Sequence, residues 1–161
     1  MSERGFTLIE LVLYTGIIGS LLLVSGLFLQ ITQEAQIKNQ SITEVEQQGI
    51  VALDYMTRTI RSAASVTTPQ PGTTAGSLVL AGVSPTTFSV AAGVLQTNEN
   101  GGTFNLTNNK VTMQNVQFTN LARGGTRDII RISFTLARTN PYNNNLYEYS
   151  KTYIASAEVR L

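Results

Sequence analysis

Cysteine and histidine are both absent from this 161-residue chain, proline occurs only four times, and charged residues make up 13% of it. Without cysteine there is no disulfide framework and no thiol chemistry. Without histidine as well, an ordinary zinc site, a Ser-His-Asp triad and a Cys-His pair are all excluded. The formal net charge of +1 gives no reason to infer nucleic acid or an acidic membrane surface as a partner. The polar character rests on Asn, Thr, Gln and Ser, which favour solvated turns and β surfaces over charged helices. The length fits one soluble domain with something attached.

What is present is concentrated at the N-terminus. From Phe6 to Leu29 the chain reads FTLIELVLYTGIIGSLLLVSGLFL, almost continuously apolar and without proline. As a helix this run extends roughly 35 Å, enough for a bilayer core of about 30 Å. Arg4 precedes the run and no basic residue follows it until Lys38, which favours an N-inside, C-outside orientation in a plasma membrane. A secretory signal peptide would need a small-residue cleavage site, and QITQEAQIKN after Leu29 offers none of the A-x-A type. A plain single-pass anchor leaves Glu10 unexplained, because a carboxylate deep in a membrane helix costs about 2.5–3.5 kcal/mol and is usually paired and functional.

The string Arg4-Gly5-Phe6-Thr7-Leu8-Ile9-Glu10-Leu11-Val12 resembles the processing motif of type IV prepilins and type II secretion pseudopilins. The resemblance implies that a membrane-embedded prepilin peptidase cuts after Gly5, removing residues 1–5 as a leader. Phe6 then becomes an N-methylated terminus, and Glu10 the glutamate of the fifth mature position. In that family the carboxylate pairs with the terminal amine of a neighbouring subunit as it leaves the bilayer through an inner-membrane assembly platform. Chemistry fits these residue types. Gly5 lacks a Cβ and lets the scissile peptide enter a tight site, and two charges costly alone in a low dielectric become tolerable as a pair. Thr15, Gly16, Gly19 and Ser20 set small residues four apart, a pattern that permits close helix–helix approach. Many major pilins carry a proline in the second half of this stretch; its absence here leans toward a minor pilin or pseudopilin.

Beyond Leu29 the chain turns polar but keeps a helical stripe: Ile31, Ala35, Ile42, Val45, Ala52, Met56, Ile60 and Ala63, widened by Val51 and Leu53. Residues 30–65 are therefore expected to continue the helix of residues 6–29. Gly49 is either a close-packing position or a slight kink. Ala52 to Ala63 (ALDYMTRTIRSA) is similar to the corresponding helix of certain minor pilins and J-type pseudopilins. Pro69-Gln70-Pro71-Gly72 stops the helix, making residues 66–76 a linker.

From Ser77 to Leu161 short alternating runs and turns predict a small antiparallel β domain, so the expected class is α+β, a long helix packed on one antiparallel sheet. Candidate strands are 77–81, 86–92, 103–106, 110–113, 116–120, 128–137 and 146–161. Asn98 to Gly102 and Thr107 to Asn109 read as turns, and Asn140 to Asn145 as the loop of a hairpin. Ile130, Ile132, Phe134 and Leu136 mark one face of the penultimate run, and Tyr149, Tyr153, Ala155, Ala157, Val159 and Leu161 one face of the last. No paired carboxylates emerge, so no enzyme, cofactor or metal is expected. Arg123, Arg127, Arg131 and Arg138 form the basic concentration, read as a sheet edge or subunit contact, with DNA as the alternative partner. Asn39-Gln40-Ser41 and Asn105-Leu106-Thr107 are formal glycosylation sequons. The resemblance implies a filament subunit that is membrane-held before assembly and later part of a surface or periplasmic filament. A major pilin, or a displayed adhesin or DNA receptor, is the alternative.

Overall fold

The computed structural model describes residues 7–82, 84–123, 125–140 and 144–160. One helix, α1, runs Leu8–Ser62. Among the described residues nine strands follow: β1 Ser65–Thr68, β2 Thr74–Ala75, β3 Leu78–Ala81, β4 Thr86–Ala91, β5 Val94–Glu99, β6 Gly102–Asn105, β7 Val111–Asn120, β8 Ile129–Arg138 and β9 Ser150–Glu158. A short 3-10 turn, Asn145–Tyr147, precedes β9. The α+β architecture expected from the sequence is present. The chain divides into two compact units, residues 1–39 and 40–161.

In the first unit α1 is apolar and bare. This N-terminal helix is long and apolar enough to cross a membrane, and none of its apolar stretch is buried. Ile31 and Ala35, placed on the amphipathic stripe by their spacing, are exposed here.

In the second unit the helix buries Ser41, Val45, Gly49, Ala52, Met56 and Ile60. This is the three-and-four spacing of one helical face, and it meets the sheets. Val51 departs from the expected stripe. It is 58% exposed, because it sits on the far side of the helix from Ala52 and Met56.

The β domain holds two antiparallel sheets where the pattern predicted one. The order is β1-β3-β4-β5-β6 in the first and β2-β7-β8-β9 in the second. Helix and both sheets share one core, in which Phe88, Phe118, Phe134, Met56, Ile60 and Ile132 are fully buried. Each such side chain contributes about 1.5–3 kcal/mol relative to an exposed one. The alternation in β8 is as read: Ile130, Ile132, Phe134 and Leu136 point inward. Residues 110–113 and 116–120, read as two runs, are one strand broken by a bulge. Its register shifts between Gln114 and Gln117, with Asn115 at φ 52°. The segment read as a linker carries β1 and β2, and the two sheets each take one of them as an edge strand.

Asn120, fully buried, fastens the sheets together. Its Nδ2 donates to the Pro69 carbonyl at 3.1 Å and to Asp128 Oδ1 at 2.9 Å, while its Oδ1 accepts from the Ala122 amide at 3.0 Å. Asp128 in turn accepts from the Val66 amide at 3.3 Å. A second set of contacts fixes the helix. The Tyr153 hydroxyl donates to the Val45 carbonyl at 3.0 Å, Lys151 Nζ reaches Glu46 at 2.7 Å, and Asn108 Nδ2 donates to Glu44 at 2.6 Å. Lys110 lies 3.7 Å from the same Glu44.

Candidate functional site

Gly5 and Phe6 lie outside the described residues. The helix opens at Thr7, whose carbonyl accepts from the Glu10 and Leu11 amides at 3.1 and 3.2 Å. Glu10 therefore sits in the first turn, where the positive end of the helix dipole favours a carboxylate. Both its oxygens have donors on the same helix: Thr7 Oγ1 at 3.5 Å from Oε2, and the Tyr14 hydroxyl at 3.4 Å from Oε1. Around it Leu8, Ile9, Leu11, Val12 and Leu13 are all more than half exposed, so the acid lies within an uncovered apolar surface.

One turn further on, Thr15, Gly16, Gly19 and Ser20 are exposed. The Thr15 and Ser20 hydroxyls donate to the Val12 and Ile17 carbonyls at 2.9 and 2.8 Å, so each of these two side chains has its proton satisfied within the helix. A Cβ added at Gly16 or Gly19 would meet nothing within 4 Å. The four residues form a strip of thinly covered backbone.

The four arginines do not share one surface. Arg123 and Arg127 lie in the connection between β7 and β8, and Arg131 stands in β8 opposite Thr119 and Ser156. Arg127 pairs with Glu158 at 3.7 Å. Arg138 is seven residues along the same strand from Arg131, roughly 23 Å away at the usual rise, and its Nη1 donates to the Lys110 carbonyl at 3.4 Å.

One arrangement had no counterpart in the sequence reading. Tyr55 on α1 donates its hydroxyl to Glu99 Oε1 at the end of β5, across 44 residues of chain. By composition Glu99 belongs to the turn Asn98 to Gly102, and nothing in the sequence joins it to Tyr55. That hydrogen bond, then burial and the carboxylate charge, raise the Tyr55 pKa above the ordinary 10.0. In the unfolded chain Tyr55 loses its proton first, so this contribution to stability is complete below about pH 10 and declines above it. Tyr55→Phe is expected to flatten the loss of stability between about pH 9 and pH 11, measured by urea unfolding at each pH. Part of the slope remains, because burial also raises the Tyr153 pKa. An unchanged slope would remove the linkage.

Among the described residues no group of three or more His, Cys, Asp or Glu could hold a metal ion. Comparison of the chain with protein-family models, with curated proteins and with solved structures gave no match.

Proposed function

We propose that this chain is a structural subunit, a minor pilin or pseudopilin, of a type IV pilus or a related secretion or competence filament. It is held in the plasma membrane by its N-terminal helix until a prepilin peptidase removes residues 1–5, and it then joins other subunits through that helix. The observation that carries this reading is the string Gly5-Phe6-Thr7-Leu8-Ile9-Glu10 at the head of an uninterrupted apolar helix. Among the described residues, the hydrogen-bond donors to its lone acid are the Thr7 and Tyr14 hydroxyls. An α+β body with a filled core, joined to a helix whose first unit is uncovered, agrees with a pilin fold and with a helix covered by copies or relatives of itself. The small-residue strip at Thr15, Gly16, Gly19 and Ser20 gives neighbouring helices a close-approach surface.

Mass spectrometry of the protein recovered from its own host tests the reading. The expected mature chain begins at Phe6 and carries one extra methyl group. Recovery of unprocessed chain, still beginning at Met1, from a host with an active prepilin peptidase would overturn it.

A further inference from the structure

We infer that the β domain carries a binding site for an organic cation with N–H donors, an alkylammonium or guanidinium head group, centred on Glu99. A cavity of about 320 Å3 opens where the end of α1 meets the first sheet, lined by Thr59, Ser62, Gly82, Ser84, Thr86 and Glu99 among others. Its size is at the low end of ligand pockets, suited to a head group more than to a large molecule.

The chemistry of the lining selects the ligand. A hydroxyl has one proton to donate and two lone pairs. Thr59 donates its proton to the Tyr55 carbonyl at 2.9 Å, Ser62 to the Thr59 carbonyl at 3.0 Å, and Thr86 to the Ser84 carbonyl at 3.0 Å. What these three offer the cavity is lone pairs. The Tyr55 hydroxyl keeps its proton and donates a hydrogen bond to Glu99 Oε1, which leaves Oε2 without a hydrogen-bond donor among the described residues. The negative end of the helix dipole adds to the same sign, since α1 ends at Ser62. Arg61, the basic residue of that last turn, does not line the cavity.

Elsewhere in the domain, Glu44, Glu46, Asp54 and Glu158 each have a cationic side chain within 4 Å: Lys110, Lys151, Arg58 and Arg127. Asp128 is held by the Val66 amide and the Asn120 side chain. Glu99 has no such cation among the described residues. A half-buried carboxylate beside three hydroxyls that offer lone pairs is matched by a positive group that brings donors. A divalent metal is a poorer match, because calcium takes six to eight oxygens, several of them from carboxylates, and one carboxylate among the described residues lines this cavity.

The test is an amide-shift NMR titration of the full chain in detergent micelles with n-butylammonium, methylguanidinium and tetramethylammonium chlorides at constant ionic strength. The first two should give saturable shifts at Gly82, Ser84 and Glu99, with dissociation constants on the order of millimolar. Tetramethylammonium, with the charge but no N–H, should not. Glu99→Gln should weaken binding at least about tenfold. Tyr55→Phe, which keeps the ring edge-on to Phe88 and frees Oε1, should bind at least as tightly and serves if Glu99→Gln does not fold. No saturation, an equal response to tetramethylammonium, an unchanged affinity in folded Glu99→Gln, or displacement of the amines by micromolar calcium would each overturn the proposal. Carbodiimide treatment of cells carrying the chain then separates two sources of the same chemistry. Glu99 is recovered joined either to a lysine-containing peptide of a partner or to a small free amine.

Discussion

Gly49→Ala is expected to destabilise the folded domain by about 2 kcal/mol, although on an isolated helix the same change would stabilise it by about 0.5–1 kcal/mol. The sign is decided by a single contact. A Cβ built on Gly49 falls 2.2 Å from Cζ of Tyr153 and 2.5 Å from Cε2, distances that real side chains do not show. A free tyrosine would swing aside, but this ring is held from two directions. It stacks on Phe134 with centroids 5.3 Å apart and planes 22° apart, and its hydroxyl donates to the Val45 carbonyl at 3.0 Å. Moving the ring by more than an ångström, or moving the helix off the sheet, loses one or both. Overpacking of this kind costs about 1–3 kcal/mol, which outweighs the gain in helix propensity. The measurement is a thermal melt followed by near-ultraviolet circular dichroism, with a midpoint lowered by roughly 8 °C. Tyr153→Leu should itself be destabilising but should make the added Gly49→Ala nearly neutral. A midpoint that stays put or rises in Gly49→Ala would show that helix and sheet are not in contact at Gly49.

That position also shows how far the residues speak for the fold. A glycine in the middle of an amphipathic stripe reads as a close approach or as a kink, and the partner, 104 residues away, shows the close approach: Tyr153 lies in β9, against Gly49, and the helix is unbroken there. The stripe itself was legible at Val45, Ala52, Met56, Ile60 and Ala63, because a single face buried against a sheet imposes its own period. The same holds for the alternation along β8. Strand β5 was hidden for a physical reason. Gln96 and Asn98 point to solvent, hydrogen-bonded to Asn105 and Thr103, and the strand runs into Asn98-Glu99-Asn100-Gly101, a stretch whose composition is that of a turn. The turn is only its last part, with Asn100 at φ 51° and Gly101 at φ 84°. On the other side β5 begins after Ala92-Gly93, a reversal with φ 49° and 77° that lacks the usual Asn or Asp. With β5 unseen, Glu99 could not be brought to Tyr55, and the cavity beside them could not be anticipated. The division into two sheets likewise depends on long-range pairing, β1 with β3 and β2 with β7, which no local period encodes. The apolar N-terminal helix was legible because it depends on contiguous residues alone.

Glu10→Val is expected to leave processing and membrane residence intact while lowering the share of the protein recovered in sheared surface filaments by about tenfold or more. The two halves of this expectation have opposite physical signs, which makes the experiment decisive. A buried carboxylate costs a membrane helix about 2.5–3.5 kcal/mol at the bilayer centre. At Glu10 that cost is reduced by its place in the first turn and by the Thr7 and Tyr14 hydroxyls. Replacing it by valine makes the helix more apolar, so insertion cannot suffer. A loss confined to the filament fraction must then come from something the carboxylate does to another molecule. Removing one partner of a desolvated charge pair costs about 3–5 kcal/mol, because the other charge is left buried and alone. A tenfold loss needs only about 1.4 kcal/mol, so the expectation holds even if water reaches the pair or docking is partial. Glu10→Gln separates charge from hydrogen bonding. It keeps an acceptor for Tyr14 and Thr7 yet has no charge to offer a terminal amine, and it should be depleted from filaments nearly as strongly as the valine variant. Membrane and sheared fractions compared by immunoblot, with the N-terminal mass of each, give the readout. Normal incorporation of both variants would remove the assigned role of Glu10, and loss from the membrane fraction would make it a determinant of insertion instead of docking.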